Sequence, residues 1–107
     1  MWTSPRLITC KEYRQRHPDA VKVRRIANNT LEAVYADRRD IVLHGHVVVS
    51  FTAAGARLDS CGHRSQTTKK RINSALPSGF GVYQKDYAWF VSLPGGSAVP
   101  FKDGMIV

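Results

Sequence analysis

The chain has 107 residues, 43% of them hydrophobic, and a formal net charge of +8. This length predicts one domain with a modest core, and the hydrophobic content argues against a disordered chain. No apolar run approaches the ~20 residues of a membrane-spanning helix, and the amino end lacks the apolar core of a secretory signal. Two cysteines, Cys10 and Cys61, are too few for a disulfide framework, so we expect a reduced, cytosolic setting.

The positive charge is concentrated in two blocks of the sequence. Residues 1–27 carry a net charge of +5 and residues 61–77 carry +4 without any acid, whereas residues 28–60 carry −1. Two basic blocks on a neutral body predict an acidic partner, either nucleic acid or an acidic protein surface. The alternative is a charged surface that only keeps the protein in solution.

The amino-terminal half predicts a short helix followed by strands. Thr9 can cap a helix over residues 10–16, and Pro18 stops it because the residue before a proline avoids helical geometry. Residues 1–21 are a candidate for a loosely packed arm of the domain. β-Branched runs follow, with a bend or bulge expected at Gly45. This β-rich sequence begins at residue 21, and its predicted strands cover residues 31–36, 41–43, 46–52 and 56–60.

The period of the hydrophobic pattern changes to that of a helix over residues 65–76. Thr68, Ile72 and Leu76 fall on one face of it, and a Pro-Ser-Gly sequence ends it. The whole pattern predicts a single α+β domain over residues 1–107: a mostly antiparallel sheet with one inserted helix and a short amino-terminal helix. Two further hairpins are predicted, pairing residues 80–84 with 87–92 and residues 99–101 with 105–107.

The predicted core joins this inserted helix to the most apolar strand. Val47, Val49 and Phe51 alternate along that strand, so they should share one face of the sheet, with the helix lying across it. The remaining predicted core residues are Leu58, Ile72, Leu76, Val82, Trp89 and Val91.

The start of the inserted helix is the strongest candidate site. A helix amino end presents unpaired N–H groups and a positive dipole, and here hydroxyls and cations surround it without a nearby acid. The alternative is an ordinary capped helix with solvated lysines. The predicted phosphate-binding residues are Arg64, Ser65, Thr67, Thr68, Lys69, Lys70 and Arg71. A second basic patch is predicted from Arg14, Arg16, Lys22, Arg24 and Arg25.

Four residues have a spacing that a zinc site could use. His44 and His46 would lie on one side of a strand, and Cys61 and His63 repeat the spacing after another strand. In the alternative, the histidines hydrogen-bond near a sheet edge and Cys61 packs as a small apolar group. Structural zinc sites use other spacings, so we predict no metal and no cofactor.

Catalysis and base stacking have weaker support. The sequence holds no GxSxG, HExxH or P-loop motif, and its acids form no evident acid/base pair, so we predict that it is not an enzyme. Tyr83, Tyr87, Trp89 and Phe90 could stack single-stranded bases, but aromatic residues on hairpins more often fill a core.

The segments "IVLHGHVVVSFTAAGARLDSCGHRSQTTKKRIN" and "FGVYQKDYAWFV" resemble a group of small tailed-bacteriophage proteins, and the resemblance extends over about residues 22–107. The chain departs from the group's pattern at Gly45-His46 and at Cys61-Gly62-His63, which are the positions that a metal site would use. The resemblance does not imply any particular activity. It implies a phage-encoded protein that works in the bacterial cytoplasm.

We therefore favour a phage accessory protein that binds the nucleic-acid backbone without sequence specificity. A second hypothesis is an inhibitor that docks on an acidic face of a host protein, either as an anti-defence protein of the anti-CRISPR kind or as a host-takeover factor. A third is a minor virion component. No membrane partner is predicted.

Overall fold

The structure, a computed structural model of the chain, describes residues 9–27, 29–62 and 64–107. Its fold class is α+β, which confirms the prediction, with two helices and nine strands in these residues. The helices are α1 (Cys10–Arg16) and α2 (Gln66–Ala75). The strands are β1 (Lys22–Ala27), β2 (Thr30–Val34), β3 (Arg39–Leu43), β4 (His46–Thr52), β5 (Gly55–Leu58), β6 (Gly81–Lys85), β7 (Ala88–Ser92), β8 (Ala98–Pro100) and β9 (Met105–Ile106).

The strands form two antiparallel sheets. Strands β1 to β5 are joined in sequence order in a six-stranded sheet, which β9 completes beside β5, while β6, β7 and β8 form a three-stranded sheet. His44 and Gly45 connect β3 to β4 with φ angles of 50° and 81°. Two positive φ angles are what a type I′ hairpin turn requires. The bend predicted at Gly45 is therefore a two-residue turn.

The six-stranded sheet buries a separate cluster on each face. A small cluster lies under α1, and a larger one lies under α2 and the three-stranded sheet. The larger cluster contains no described residue of β1 or β2, which carry Arg24, Thr30 and Glu32 on this face. The buried members of the small cluster are Tyr13, Leu31, Ala33, Tyr35 and Val42. Those of the larger cluster are Ile41, Leu43, Val48, Val49, Ala56, Leu58, Ile72, Leu76, Val82, Trp89, Val91 and Phe101.

Helix α1 has the predicted bounds and the predicted cap. The Glu12 backbone N–H donates to Thr9 Oγ1 over 3.1 Å, which satisfies one of the open donors of the first turn. Tyr13 is buried, and its hydroxyl lies 2.7 Å from the Tyr35 hydroxyl; burial and this bond raise the pKa of Tyr13. The helix is thus packed on the sheet through Tyr13, while the loosely packed arm over residues 1–21 stays a prediction. Residues 1–8 lie outside the described residues.

Helix α2 lies across the sheet as predicted. Ile72 is fully buried, and Leu76 continues the same apolar stripe into the larger cluster. Asn73 joins the helix to the three-stranded sheet: its amide nitrogen donates to Val82 O over 2.9 Å, and Val82 N donates to Asn73 Oδ1 over 2.6 Å. The helix therefore has one flank toward β6 and another toward β2 and β3.

Two details of the core prediction are wrong. The pairing of β3 with β4 shifts by one residue between Ile41 and Val42, so Val48 is an extra residue on β4. This bulge places Val47 against the small cluster, while Val48 and Val49 both join the larger one. Val47 and Phe51 are only half-buried. The other predicted core residues, namely Val49, Leu58, Ile72, Leu76, Val82, Trp89 and Val91, are buried as expected.

The hairpin predicted for residues 99–107 does not form. Strand β8 pairs with β7, whereas β9 pairs with β5 in the other sheet. Between them, Phe101 packs edge-on against Trp89 with ring centroids 5.4 Å apart, and Asp103 accepts bonds from Ser60 N and Ser60 Oγ. This segment connects the two sheets instead of folding back on itself.

Neither helix in the described part of the chain is long and apolar enough to cross a membrane.

Candidate anion-binding site

The cations of residues 64–71 do not form one cluster. Arg64 and Lys69 lie toward the three-stranded sheet, whereas Arg71 lies toward β2 and Lys70 is exposed. Residues two apart on a helix point in nearly opposite directions, so Lys69 and Arg71 are on different flanks of α2. A single phosphate at the start of the helix cannot meet all of them.

The hydroxyls of this stretch mainly build the helix cap. Ser65 Oγ accepts from Thr68 N over 3.2 Å and lies 3.1 Å from Thr68 Oγ1. Thr68 is 2% exposed and therefore belongs to the interior, which removes it from the predicted phosphate contacts. Thr67 is exposed, so its position as a phosphate contact stays a prediction. The predicted cap is confirmed.

Arg64 and Lys69 lie over aromatic rings. Arg64 Cζ is 5.6 Å from the centroid of Trp89 and 5.3 Å from that of Phe101, and Lys69 Nζ is 5.6 Å from Trp89. Lys69 Nζ also donates to Gln84 Oε1 over 3.3 Å. The two cations shield Trp89, which is 4% exposed. We call Arg64, Lys69, Trp89 and Phe101 the aromatic flank of α2.

Arg71 meets other cations on the opposite flank. Its Nε donates to Thr30 Oγ1 over 2.9 Å, across a cleft that Arg24 of β1 and Arg39 of β3 also line. Both of these arginines hold Glu32 of β2: Arg24 Nε lies 2.8 Å from Glu32 Oε1, and Arg39 Nη1 lies 3.1 Å from Glu32 Oε2. We call the cleft formed by Arg24, Thr30, Glu32, Arg39 and Arg71 the arginine cleft.

Strand register explains this convergence. Arg24 pairs with Glu32, and Glu32 pairs with Ile41, so these side chains form one row on the face that α2 covers farther along the sheet. Arg39 precedes Ile41 by two residues and shares its face. Polar side chains thus occupy the uncovered end of this sheet face, and α2 adds Arg71 from the side.

The arginine cleft encloses about 370 Å³ and has a positive charge. Three guanidinium groups against one carboxylate leave two positive charges among its described lining residues. The Arg24 hydrogen bond holds the pKa of Glu32 below its ordinary value despite burial, with a further contribution from Arg39, so the carboxylate is ionised at neutral pH. Ile26 and Ala75 provide an apolar wall.

The arginines of the cleft keep donors for a ligand. Each contact with Glu32 or Thr30 engages one N–H group of a guanidinium, which carries five. The side chains of Arg24 and Arg39 are 57% and 44% exposed, so solvent reaches them. In the described structure the cleft can therefore bind an anion without losing its internal contacts.

The second predicted basic patch is divided as well. Of its five members only Arg24 lines the cleft, while Arg14 and Arg16 lie exposed on α1, which covers the opposite face of the sheet. Lys22 is exposed on β1, and Arg25 Nε donates to Ala27 O. Arg39 was missed because it falls between the two strands predicted over residues 31–36 and 41–43.

Of the four metal candidates, the three in the described residues, His44, His46 and Cys61, do not form a metal site. His44 lies in the turn, where the alternation of an extended strand does not apply, and His46 is exposed at the start of β4. Cys61 donates to Val47 O over 3.4 Å, and burial, followed by the charge of Asp59, raises its pKa to about 11. No group of three or more His, Cys, Asp or Glu side chains among the described residues could hold a metal, and His63 lies outside them.

The aromatic residues that were candidates for base stacking do not lie on one surface either. Trp89 is buried in the larger cluster, which removes it from base stacking. Tyr83 and Phe90 stack on each other across β6 and β7 with centroids 5.6 Å apart, on the face away from the core, and Tyr87 is 96% exposed. Stacking by these three residues stays a prediction.

Comparison with known proteins gives one family. A protein-family model described as "Kyanoviridae Gp96 protein" matches residues 15–107, so the chain belongs to this family of phage proteins. Neither the curated proteins nor the solved structures include a match to the chain. The resemblance to phage proteins predicted from the sequence is confirmed.

Proposed function

We propose that this member of the Kyanoviridae Gp96 protein family binds nucleic acid through phosphate groups held in the arginine cleft, and that it does so in the host cytoplasm. One observation carries the proposal: arginines from β1, β3 and α2 line one cleft that contains a single carboxylate, and they leave two positive charges. Arginine is well suited to phosphate because its planar fork can donate two parallel hydrogen bonds.

The chemistry of the cleft supports binding without sequence specificity. Arginine and hydroxyl contacts to phosphate position a protein on nucleic acid but do not distinguish bases. Within the described lining, Glu32 is the carboxylate that could accept a bond from a base, and Arg24 and Arg39 already hold it. We therefore expect similar affinities for unrelated sequences.

The test removes two charges from the cleft and two from elsewhere. The cleft variant is Arg24→Gln with Arg71→Gln, which leaves Arg39 paired with Glu32. The control variant is Arg14→Gln with Arg16→Gln on α1. Both variants lower the net charge of +8 by the same amount, so long-range attraction falls equally in both.

Affinity for DNA and RNA would be measured by fluorescence anisotropy from low to physiological salt. The cleft variant should bind about tenfold or more weakly, and the slope of affinity against salt should fall by roughly two phosphate contacts. The control variant should keep most of the slope of affinity against salt. Equal losses in both variants would mean diffuse attraction, and no binding by the natural chain at low salt would reject the proposal.

One observation favours a second candidate, an acidic protein partner. The cleft already pairs Arg24 and Arg39 with the Glu32 carboxylate, so it can accept carboxylates as well as phosphates. An anti-defence inhibitor or host-takeover factor could use it to dock on an acidic host surface. A pull-down from nuclease-treated host lysate would separate the candidates: a protein retained by the natural chain and lost by the cleft variant would favour this second one.

A further inference from the structure

We propose that the ligand of the arginine cleft is a phosphate monoester of a nucleotide, such as a phosphorylated strand end or a free mononucleotide. This inference rests on the proposed function and names the group that the cleft prefers. Its source is left to the experiment, because a strand end and a mononucleotide present the same chemistry.

The shape favours a single nucleotide over a length of duplex. At about 370 Å³ the cleft falls within the range of about 300–1,000 Å³ that is typical of pockets for small ligands. Its walls come from two sides: α2 contributes Arg71, and the sheet contributes Arg24 and Arg39. An internal phosphate of a duplex is flanked by backbone on both sides, whereas a terminal phosphate can enter a concave site end-on.

The charge favours a dianion. Three guanidinium groups and the Glu32 carboxylate leave two positive charges in the described lining. A phosphate monoester carries about −1.5 to −2 at neutral pH and presents three terminal oxygens, whereas an internal phosphodiester carries a single negative charge. Two charges and three forks therefore match the monoester better. The contacts of Arg24 and Arg39 with Glu32 hold the guanidinium groups of these two arginines in position before the ligand arrives.

The lining beside the arginines suits the rest of a nucleotide. Ile26 is 42% exposed, and it borders the cleft together with Ala27 and Ala75. An apolar wall next to a phosphate site can pack against a sugar or the face of a base. A free inorganic phosphate would leave this wall uncovered. The combination therefore points to a nucleotide.

The experiment compares strand ends that differ only in the phosphate. A short single-stranded DNA, labelled at its other end, is prepared with a 5′-phosphate or a 5′-hydroxyl, and a second pair differs at the 3′ end. Anisotropy at physiological salt should show binding about tenfold tighter for a phosphorylated end, the factor that one added charge-assisted contact of about 1.4 kcal/mol provides. Deoxyadenosine monophosphate should compete, while deoxyadenosine should not.

A conservative variant separates recognition from charge. Arg71→Lys keeps the positive charge but loses the planar fork, so it should bind the hydroxyl-ended strand almost normally and lose the preference for the phosphate. The Ile26→Ser variant should weaken competition by the mononucleotide more than competition by inorganic phosphate. Retention of the full preference by Arg71→Lys would count against the cleft.

The outcomes distinguish this inference from the proposed function. Equal binding of phosphorylated and hydroxyl ends, with a normal salt slope, rejects the inference and leaves backbone binding standing. Binding of the mononucleotide without binding of any oligonucleotide supports the inference and rejects the proposed function. Absence of binding to every probe rejects both.

Discussion

The two flanks of α2 hold cations of equal charge in different surroundings. In the arginine cleft, Arg71 faces a hydroxyl and shares the space with a carboxylate, whereas on the aromatic flank Arg64 and Lys69 lie over Trp89. The hydrogen bonds of the cleft engage single N–H groups and leave the rest of each fork to an anion, although Arg39 Cζ also lies 4.5 Å from the ring centroid of Phe51. An aromatic face instead attracts the cation itself and protects the ring. The atoms around a cation, more than the number of cations along a helix, therefore locate an anion site.

Removing the residue that supports both flanks should have the largest effect. Ile72 is fully buried between them, so Ile72→Ala should lower the free energy of unfolding by about 2–5 kcal/mol and weaken both flanks together. Urea unfolding followed by circular dichroism would measure it. Ser74→Ala, an exposed change on the same helix, is the control and should stay within about 0.5 kcal/mol. A loss below about 1 kcal/mol in Ile72→Ala would contradict this account of the core.

Reversing one charge on each flank should give a smaller and unequal effect. Arg71→Glu places a carboxylate in the arginine cleft and should weaken nucleic-acid binding by about tenfold or more, whereas Lys69→Glu should weaken it only a few-fold. The two variants change the net charge equally, so a difference between them reports on position. A greater loss in Lys69→Glu would move the site to the aromatic flank. Circular dichroism would confirm that both variants fold.

Two acids, Glu32 of the arginine cleft and Asp103 of the segment between β8 and β9, should have the smallest effect on the free energy of unfolding. This effect should be visible only at low pH. The Arg24 bond lowers the pKa of Glu32, and the bonds from Ser60, assisted by Arg64, outweigh burial and lower that of Asp103. A lowered pKa in the folded state adds stability that is present above the unfolded value, about 4.5 for Glu32, and is lost as the pH falls through the folded value.

The free energy of unfolding should therefore fall on acidification below about pH 4.5, and Glu32→Gln should make that fall shallower. Asp103→Asn should also make the fall of the free energy of unfolding on acidification shallower. Unfolding in urea from neutral to acidic pH would measure both. An unchanged acid dependence in Glu32→Gln would mean that its ion pairs do not stabilise the fold.

Most of the secondary structure follows from local sequence. The bounds of α1 and α2 were predicted within a residue because caps, prolines and periodic apolar positions act over a few neighbours. Strands β2 to β5 were predicted for the same reason, although β3 begins two residues earlier than predicted. The turn at His44 was predicted as a bend because a histidine at positive φ has no reliable local signal.

The remaining differences depend on contacts that are distant in sequence. The bulge at Val48 arises from the register between β3 and β4, and the separation of β8 from β9 arises because β9 pairs with β5, far back in the chain. A Lys-Asp-Gly turn signal between two apolar runs is equally compatible with a hairpin. Local patterns cannot choose between these pairings.

The candidate site was predicted only in part for a related reason. Arg71 and Arg24 were both singled out, but in different basic groups, and Arg39 lay outside the predicted strands. Their meeting depends on the pairing of β1 with β2 and of β2 with β3, and on the side from which α2 packs. Alternation along β3 could have shown that Arg39 shares the face of Ile41, once the strand was extended by two residues.

The basic residues of β1 also affect solubility because of the position of this strand in the sheet. In the described structure β1 is an outer strand of the six-stranded sheet, so one row of its backbone groups has no neighbouring strand. Such an edge can pair with another chain and start aggregation, and lysine or arginine side chains on it discourage this pairing. Arg24 thus serves the cleft and also the edge. When Arg24 is replaced, Lys22 and Arg25 still keep this edge strand positively charged. The cleft can therefore lose an arginine without making β1 prone to pair with other chains.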